Sequence, residues 1–236
     1  MKIGILMCGH TMPEVESQYG DYDAMFARLL AGYGLEFQAW DVENMDFPDS
    51  VSDCDGWLLT GSKHGAYEDH PFIAPLEEFI RAANAGSVPM VGICFGHQII
   101  AKALGGRVEK FEGGWSIGRT EYHFDTLGHI HLNAWHQDQV ITPPEGATTI
   151  AATDFCAHAA LNYGDKILTI QPHPELSPPI IAEYVRIRRG GPSYPDEMMQ
   201  RAIDKSVKPT DDAIAAGEIA RFLLAAHAAR SEVANA

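Results

Sequence analysis

One stretch constrains this chain more than any other: residues 88–106. Val88-Pro89-Met90-Val91-Gly92-Ile93 is a short apolar run of buried-strand type, and it stops at Cys94. Phe95, Ile99, Ala103 and Leu104 then fall at helical spacing until Gly105-Gly106 supplies the stop. A strand that passes through one residue into a helix needs a sharp, strained turn. Gly92 and Gly96, two positions either side of Cys94, remove the Cβ atoms that would collide there. This is the cysteine form of the G-x-S-x-G nucleophile elbow, which lifts the sulfur into the open at a helix N-terminus. There the helix dipole favours thiolate over thiol. A lone cysteine is more often a buried small hydrophobe; the flanking glycines and the strand-to-helix switch favour a nucleophile.

Around the elbow, strands and helices alternate. Residues 2–8 read as a buried strand, 36–42 and 55–59 as two more strands, and 21–33 and 75–85 as helices, the first with Met25, Phe26, Leu29, Leu30 and Tyr33 on its apolar face. Residues 9–13 read as a polar loop. Alternation at this pitch implies right-handed crossovers and a mainly parallel α/β sheet covered on both faces, with chemistry beyond the carboxyl ends of its strands. After Gly106 the pattern changes to a small antiparallel meander, with strands at 107–111, 118–124, 130–136, 149–153 and 158–163. Residues 167–171 are one more apolar strand. Ser177-Pro178 is a good helix start. Residues 1–190 therefore form the expected catalytic domain. Residues 191–236 form a helical extension packed on it, whose last helix carries Ala216, Ala220, Leu223 and Leu224 in its stripe.

A catalytic cysteine wants a base beside it. His173 follows the strand 167–171, on the same rim as Cys94 if the two strands are parallel, and Glu175 two residues later points to the same side. A carboxylate there accepts the second ring N–H and fixes the tautomer. The backbone N–H of Phe95 is a natural oxyanion donor, and Gly61, in the turn Thr60-Gly61-Ser62, is the expected second.

The runs Gly92-Ile93-Cys94-Phe95-Gly96-His97-Gln98 and His173-Pro174-Glu175 resemble those of the class I (triad) glutamine amidotransferases, a flavodoxin-like α/β family. Gly113-Gly114-Trp115-Ser116-Ile117-Gly118 and Ala134-Trp135-His136-Gln137-Asp138-Gln139 resemble, more narrowly, its stand-alone members. That group is similar to the amidotransferase domain of GMP synthetase and includes γ-glutamyl peptidases. The resemblance implies that Cys94 attacks the glutamine carboxamide, His173 protonates the departing ammonia, and Glu175 orients His173. It also implies that Gln98 and the segment His136, Gln137 and Asp138 bind substrate. Pro172 departs from the family pattern, and the synthetase half that would consume ammonia is missing, which leaves a partner synthetase or acceptor subunit open. Two alternatives stand: a γ-glutamyl peptidase that expels an amine in place of ammonia, and a non-catalytic glutamine-binding or regulatory subunit.

Composition narrows the partners. The net charge of −15 repels phosphate backbones and anionic lipid, so neither nucleic acid nor membrane is expected. The four cysteines lie far apart, with no C-x-x-C pair and no disulfide pattern, and the N-terminal apolar run is too short for a signal peptide. A cytoplasmic enzyme acting on a small molecule is the expectation. No cofactor is expected, and no metal: His129, His131 and His136 lie close together but lack a cysteine or carboxylate at ligand spacing.

Overall fold

The computed structural model describes residues 1–234; the final two residues of the expected helical extension lie outside them. The elements run β1 (Lys2–Leu6), α1 (Pro13–Tyr19), α2 (Tyr22–Leu29), β2 (Glu36–Trp40), β3 (Gly56–Leu59), α3 (Ile73–Ala85), β4 (Met90–Ile93) and α4 (Phe95–Ala103). They continue β5 (Arg107–Lys110), β6 (Ser116–Phe124), β7 (Gly128–His136), β8 (Asp138–Thr142), β9 (Thr148–Ala152), β10 (Ala160–Tyr163), β11 (Ile167–Ile170), α5 (Pro178–Arg188), α6 (Asp196–Lys205) and α7 (Asp212–Ala234).

One mixed sheet in the order β2-β1-β3-β4-β11-β10-β9-β6-β7 forms the centre, and β5 and β8 pair separately. The first five strands are parallel and the last four join antiparallel. Strands buried on both faces read as continuous apolar runs, and β3, β4 and β11 have every residue buried. Alternate side chains feed two cores: Leu58, Val91 and Ile93 join α2, α5, α6 and α7 on one face, while Trp57, Leu59 and Met90 join α3 and α4 on the other.

The mainly parallel α/β architecture matches expectation, with several local corrections. Most of the expected meander is not a separate unit: β6, β7, β9 and β10 extend the main sheet, and only β5 pairs apart, with β8. Residues 13–19 form a helix that begins at the last residue of the expected loop and that the sequence pattern did not mark; only Val15 is buried in it, too little to leave a periodic signal. The helix expected over 21–33 stops at Leu29, and Tyr33 is exposed, because the chain turns out through Gly32 and Gly34 with positive φ. In α7 the stripe is completed by Ala215 and Ile219, and Leu224 faces solvent. Among the described residues no helix is long and apolar enough to cross a membrane.

Register brings the site together. Gly92 pairs with Leu59 and Thr169, and Ile93 with Ile170, so Thr60, Cys94 and Gln171 leave the sheet side by side on one rim.

Candidate active site

Cys94 sits between β4 and α4 with φ 54° and ψ −102°, a conformation that side-chain-bearing residues rarely adopt. Two backbone bonds hold it there: Cys94 N–H donates to the Ile170 carbonyl (2.9 Å) and Gly96 N–H to the Thr60 carbonyl (3.1 Å). The flanking glycines are needed for space. A Cβ on Gly92 would lie 2.5 Å from the Gly96 carbonyl oxygen, and one on Gly96 would run into the Leu59 carbonyl. The N–H of Phe95 belongs to the first turn of α4, where no intrahelical acceptor exists.

His173 and Glu175 are buried, and His173 Nδ1–H donates to Glu175 Oε1 at 2.6 Å. The other side of the imidazole faces Cys94. Burial alone would push the His173 ring down, but the Cys94 sulfur, with Glu175 behind it, reverses this and holds the ring well above its ordinary value. Gly61 lies against the ring: a Cβ there would be 3.1 Å from His173 Cε1 and 3.4 Å from the Tyr22 hydroxyl.

The histidine backbone is fixed by a residue that sequence reasoning missed. Asn133 on β7 accepts the His173 N–H on its carbonyl (2.8 Å), and its side-chain amide donates to the Leu176 carbonyl (2.6 Å). It clamps both ends of the His-Pro-Glu segment from forty positions upstream, which no local pattern reveals.

Cys94 and His173 open into a cavity of about 330 Å³. Gln98, His136, Gln137 and Asp138 all line it, so the structure brings every expected substrate-contact residue to one place. Gln98 is positioned by its amide, which donates to the Asp138 carbonyl (2.9 Å) and to Gln171 Oε1 (3.1 Å). His136 is pushed down to about 3, by burial first and then by the charge of His173, so it stays neutral. Its Nδ1–H donates to the Asp138 carbonyl (3.3 Å), which leaves Nε2 an acceptor with no partner among the described residues. Asp138 accepts from the Tyr67 hydroxyl (3.1 Å), and burial raises its carboxyl above the usual range. Gln137 spends its amide on the Phe111 carbonyl. Beyond these, Trp115, Trp135, Tyr184 and Tyr194 form an aromatic wall, with Lys110 and Arg188 also lining the cavity. His10 lies at the edge, between Asp21 and Asp41.

Behind Glu175, Asp212 at the start of α7 is pushed up to about 6, by burial first, with Glu175 adding to it. An unfolded aspartate titrates near ~3.9, so between about pH 4 and 6 the folded chain binds the extra proton and stability falls as pH rises. Asp212→Asn is therefore expected to raise the thermal midpoint by a few degrees at about pH 7.5 and to lose most of that gain near pH 4. An equal gain at both values would contradict this account.

Comparison with known proteins gives the family. The chain is 30% identical to a glutamine amidotransferase-like protein of Schizosaccharomyces pombe, over 94% of this chain and 98% of that one. It is 27% identical to γ-glutamyl peptidase 2 of Arabidopsis thaliana, over 82% of this chain and 84% of the relative. The crystal structure of a glutamine amido transferase from Methylobacillus flagellatus superposes with a TM-score of 0.75 at 24% identity, covering 98% of this chain and 94% of that one, which shows a common fold. The model of the class I glutamine amidotransferases matches residues 19–181, a span that holds both the cysteine elbow and the histidine strand end. With most of its length matched and its sheet folded as theirs are, the chain belongs to the class I glutamine amidotransferase family.

Proposed function

We propose that the chain is a cysteine-dependent amidohydrolase that acts on the γ-carboxamide of glutamine through a Cys94–His173–Glu175 triad. The observation that carries this reading is the buried His173, which bonds Glu175 on one side and meets Cys94 on the other. Cys94 Sγ attacks the γ-carbonyl carbon, and the oxyanion gathers the N–H groups of Phe95 and Gly61. His173 gives its proton to the departing nitrogen, so ammonia leaves and a γ-glutamyl thioester remains. His173, now neutral, takes a proton from water. The hydroxide displaces the sulfur, glutamate is released, and Cys94 regains its anion beside the recharged imidazole. Gln98 and neutral His136 are assigned to substrate binding together with Gln137 and Asp138. The four free thiols fit a reducing compartment such as the cytoplasm. A synthetase or acceptor protein remains the proposed destination of the ammonia.

A second reading, hydrolysis of γ-glutamyl amides or isopeptides, is favoured by the cavity itself. Its aromatic wall and the cations Lys110 and Arg188 line the same cavity as Cys94, and ammonia as the leaving group calls for neither. The same thioester step would release an amine in place of ammonia. Measuring kcat/KM for glutamine against γ-glutamyl dipeptides, with glutamate and ammonia both quantified, separates the two: a preference of tenfold or more for the dipeptides selects the peptidase. Turnover of neither, with no covalent capture of diazo-oxo-norleucine at Cys94, would leave a binding subunit. Glu175→Gln is expected to lower kcat by about 10²–10⁴ while leaving KM within a few-fold, since the base remains but its orientation and charge support are lost. An unchanged kcat would remove Glu175 from the triad.

A further inference from the structure

The loop between β3 and α3 carries three side chains that the proposed reaction does not use: His64, Glu68 and His70. Their ligand atoms all lie within 4.8 Å of one another. Glu68 Oε2 is 2.8 Å from His70 Nε2 and 3.7 Å from His64 Nδ1, and the two imidazole centroids are 3.9 Å apart. Ligand atoms on a tetrahedral zinc at ~2.0–2.1 Å stand about 3.3 Å from each other, between the 2.8 Å and 3.7 Å spacings found here.

A fourth residue settles which nitrogen His64 presents. Its Nε2 lies 2.9 Å from Oε1 of Glu43, a mostly buried carboxylate that Lys63 also holds at 2.8 Å. A carboxylate accepts, so His64 Nε2 carries the proton and donates it. Nδ1 then turns a lone pair toward a carboxylate oxygen. His70 Nε2–H donates to that same Glu68 oxygen at 2.8 Å, so a cation entering here would replace this proton and take the lone pairs of His64 Nδ1 and His70 Nε2 together. A carboxylate that orients a histidine from its far nitrogen is the usual outer partner of a metal-bound imidazole. We propose that His64, Glu68 and His70 form a site for a zinc-type divalent cation, with Glu43 positioning His64.

The site stands at the cavity mouth, which His64 and Glu68 both line. Tyr67, between them, donates to Asp138 across the opening. A bound cation would therefore pin the loop that carries this contact. A second gathering of ligand atoms among the described residues, Glu121, His123 and His129 on the β6–β7 hairpin, has all three side chains exposed, and it serves as the control.

The test is calorimetric titration of zinc into the full chain. A Cys94→Ala background removes the thiolate, which competes as a soft ligand. One saturable equivalent is expected, with a dissociation constant below about 10 µM and a tetrahedral visible spectrum when cobalt replaces zinc. His70→Ala and Glu68→Gln are expected to weaken it at least 100-fold. Glu43→Gln, which leaves all three ligands in place, is expected to weaken it about 10- to 100-fold. A double His123→Ala, His129→Ala variant is expected to leave the tight equivalent untouched. Circular dichroism of the metal-free variants checks that each is folded, and His70→Gln replaces His70→Ala if that variant is not. No equivalent tighter than about 10 µM, or one that survives loss of His70, overturns the proposal and leaves the His70–Glu68 contact as a plain hydrogen bond. Neither outcome depends on turnover, so the proposed reaction stands or falls separately.

Discussion

Cys94→Ala is expected to leave less than about one thousandth of the wild-type kcat on whichever γ-glutamyl substrate the protein turns over. The sulfur supplies the bond that carries the acyl group between the two halves of the reaction, and among the described residues no other nucleophile meets His173. Cys8 is buried in the opposite core and Cys156 in the same core as Cys94, and burial pushes both thiols up, to about 12 for Cys156 and further for Cys8, where neither acts as a nucleophile. Cys94→Ser is expected to be nearly as inactive. A hydroxyl gives up its proton far less readily than a thiol, so serine offers His173 a much weaker nucleophile. His173→Ala is expected to match it, because groups that act as a unit fail together. The fold should survive all three, since Cys94 is a small side chain at the edge of the cavity. The comparison is single-turnover release of glutamate together with mass-spectrometric detection of the γ-glutamyl adduct. Residual kcat above a few per cent in Cys94→Ala would rule out the thioester route.

Much of this site was legible because its chemistry is local. The elbow needs glycines at fixed distances from one residue, and that spacing is written in seven consecutive positions. His173 and Glu175 are a two-residue signal, and a parallel pairing of β4 with β11 is enough to bring them to Cys94. The less legible parts depend on distant segments. Asn133 reads as one more polar residue on a strand; its role appears only when β7 runs past the His-Pro-Glu turn. Strand β8 begins at Asp138, directly after a polar run, and its short apolar centre gave no alternation to read. The meander strands gave the correct pattern, but no pattern says whether an antiparallel strand adds to an existing sheet or starts another. His64, Glu68 and His70 are spaced like any polar loop, and the carboxylate that orients His64 comes from Glu43, beyond the next strand back.

The second large effect is on the fold itself. Gly96→Ala adds one methyl group, and alanine is the better helix former by about 1 kcal/mol. Propensity alone therefore predicts a more stable α4. Space predicts the reverse, because the new Cβ would drive into the Leu59 carbonyl and lie 2.9 Å from the carbon that bears it, in a strand buried on both faces. A backbone carbonyl in the middle of a sheet cannot swing aside as a side-chain tip can. Either α4 lifts from β3, breaking the bond from Gly96 N–H to the Thr60 carbonyl, or β3 shifts against β1 and β4. The loss is expected to reach or exceed the top of the ~1–3 kcal/mol that overpacking usually costs, a large part of the ~5–15 kcal/mol that holds a domain folded. Gly86→Ala separates the two contributions. It sits at the end of α3 with an ordinary φ of −78°, and its new Cβ would meet nothing closer than 3.4 Å. That variant is expected to move the urea midpoint by little, whereas Gly96→Ala should lower it sharply or yield no folded protein. If Gly96→Ala instead unfolds at the wild-type midpoint, the close approach of α4 to β3 is wrong, and with it the turn that presents Cys94 to His173.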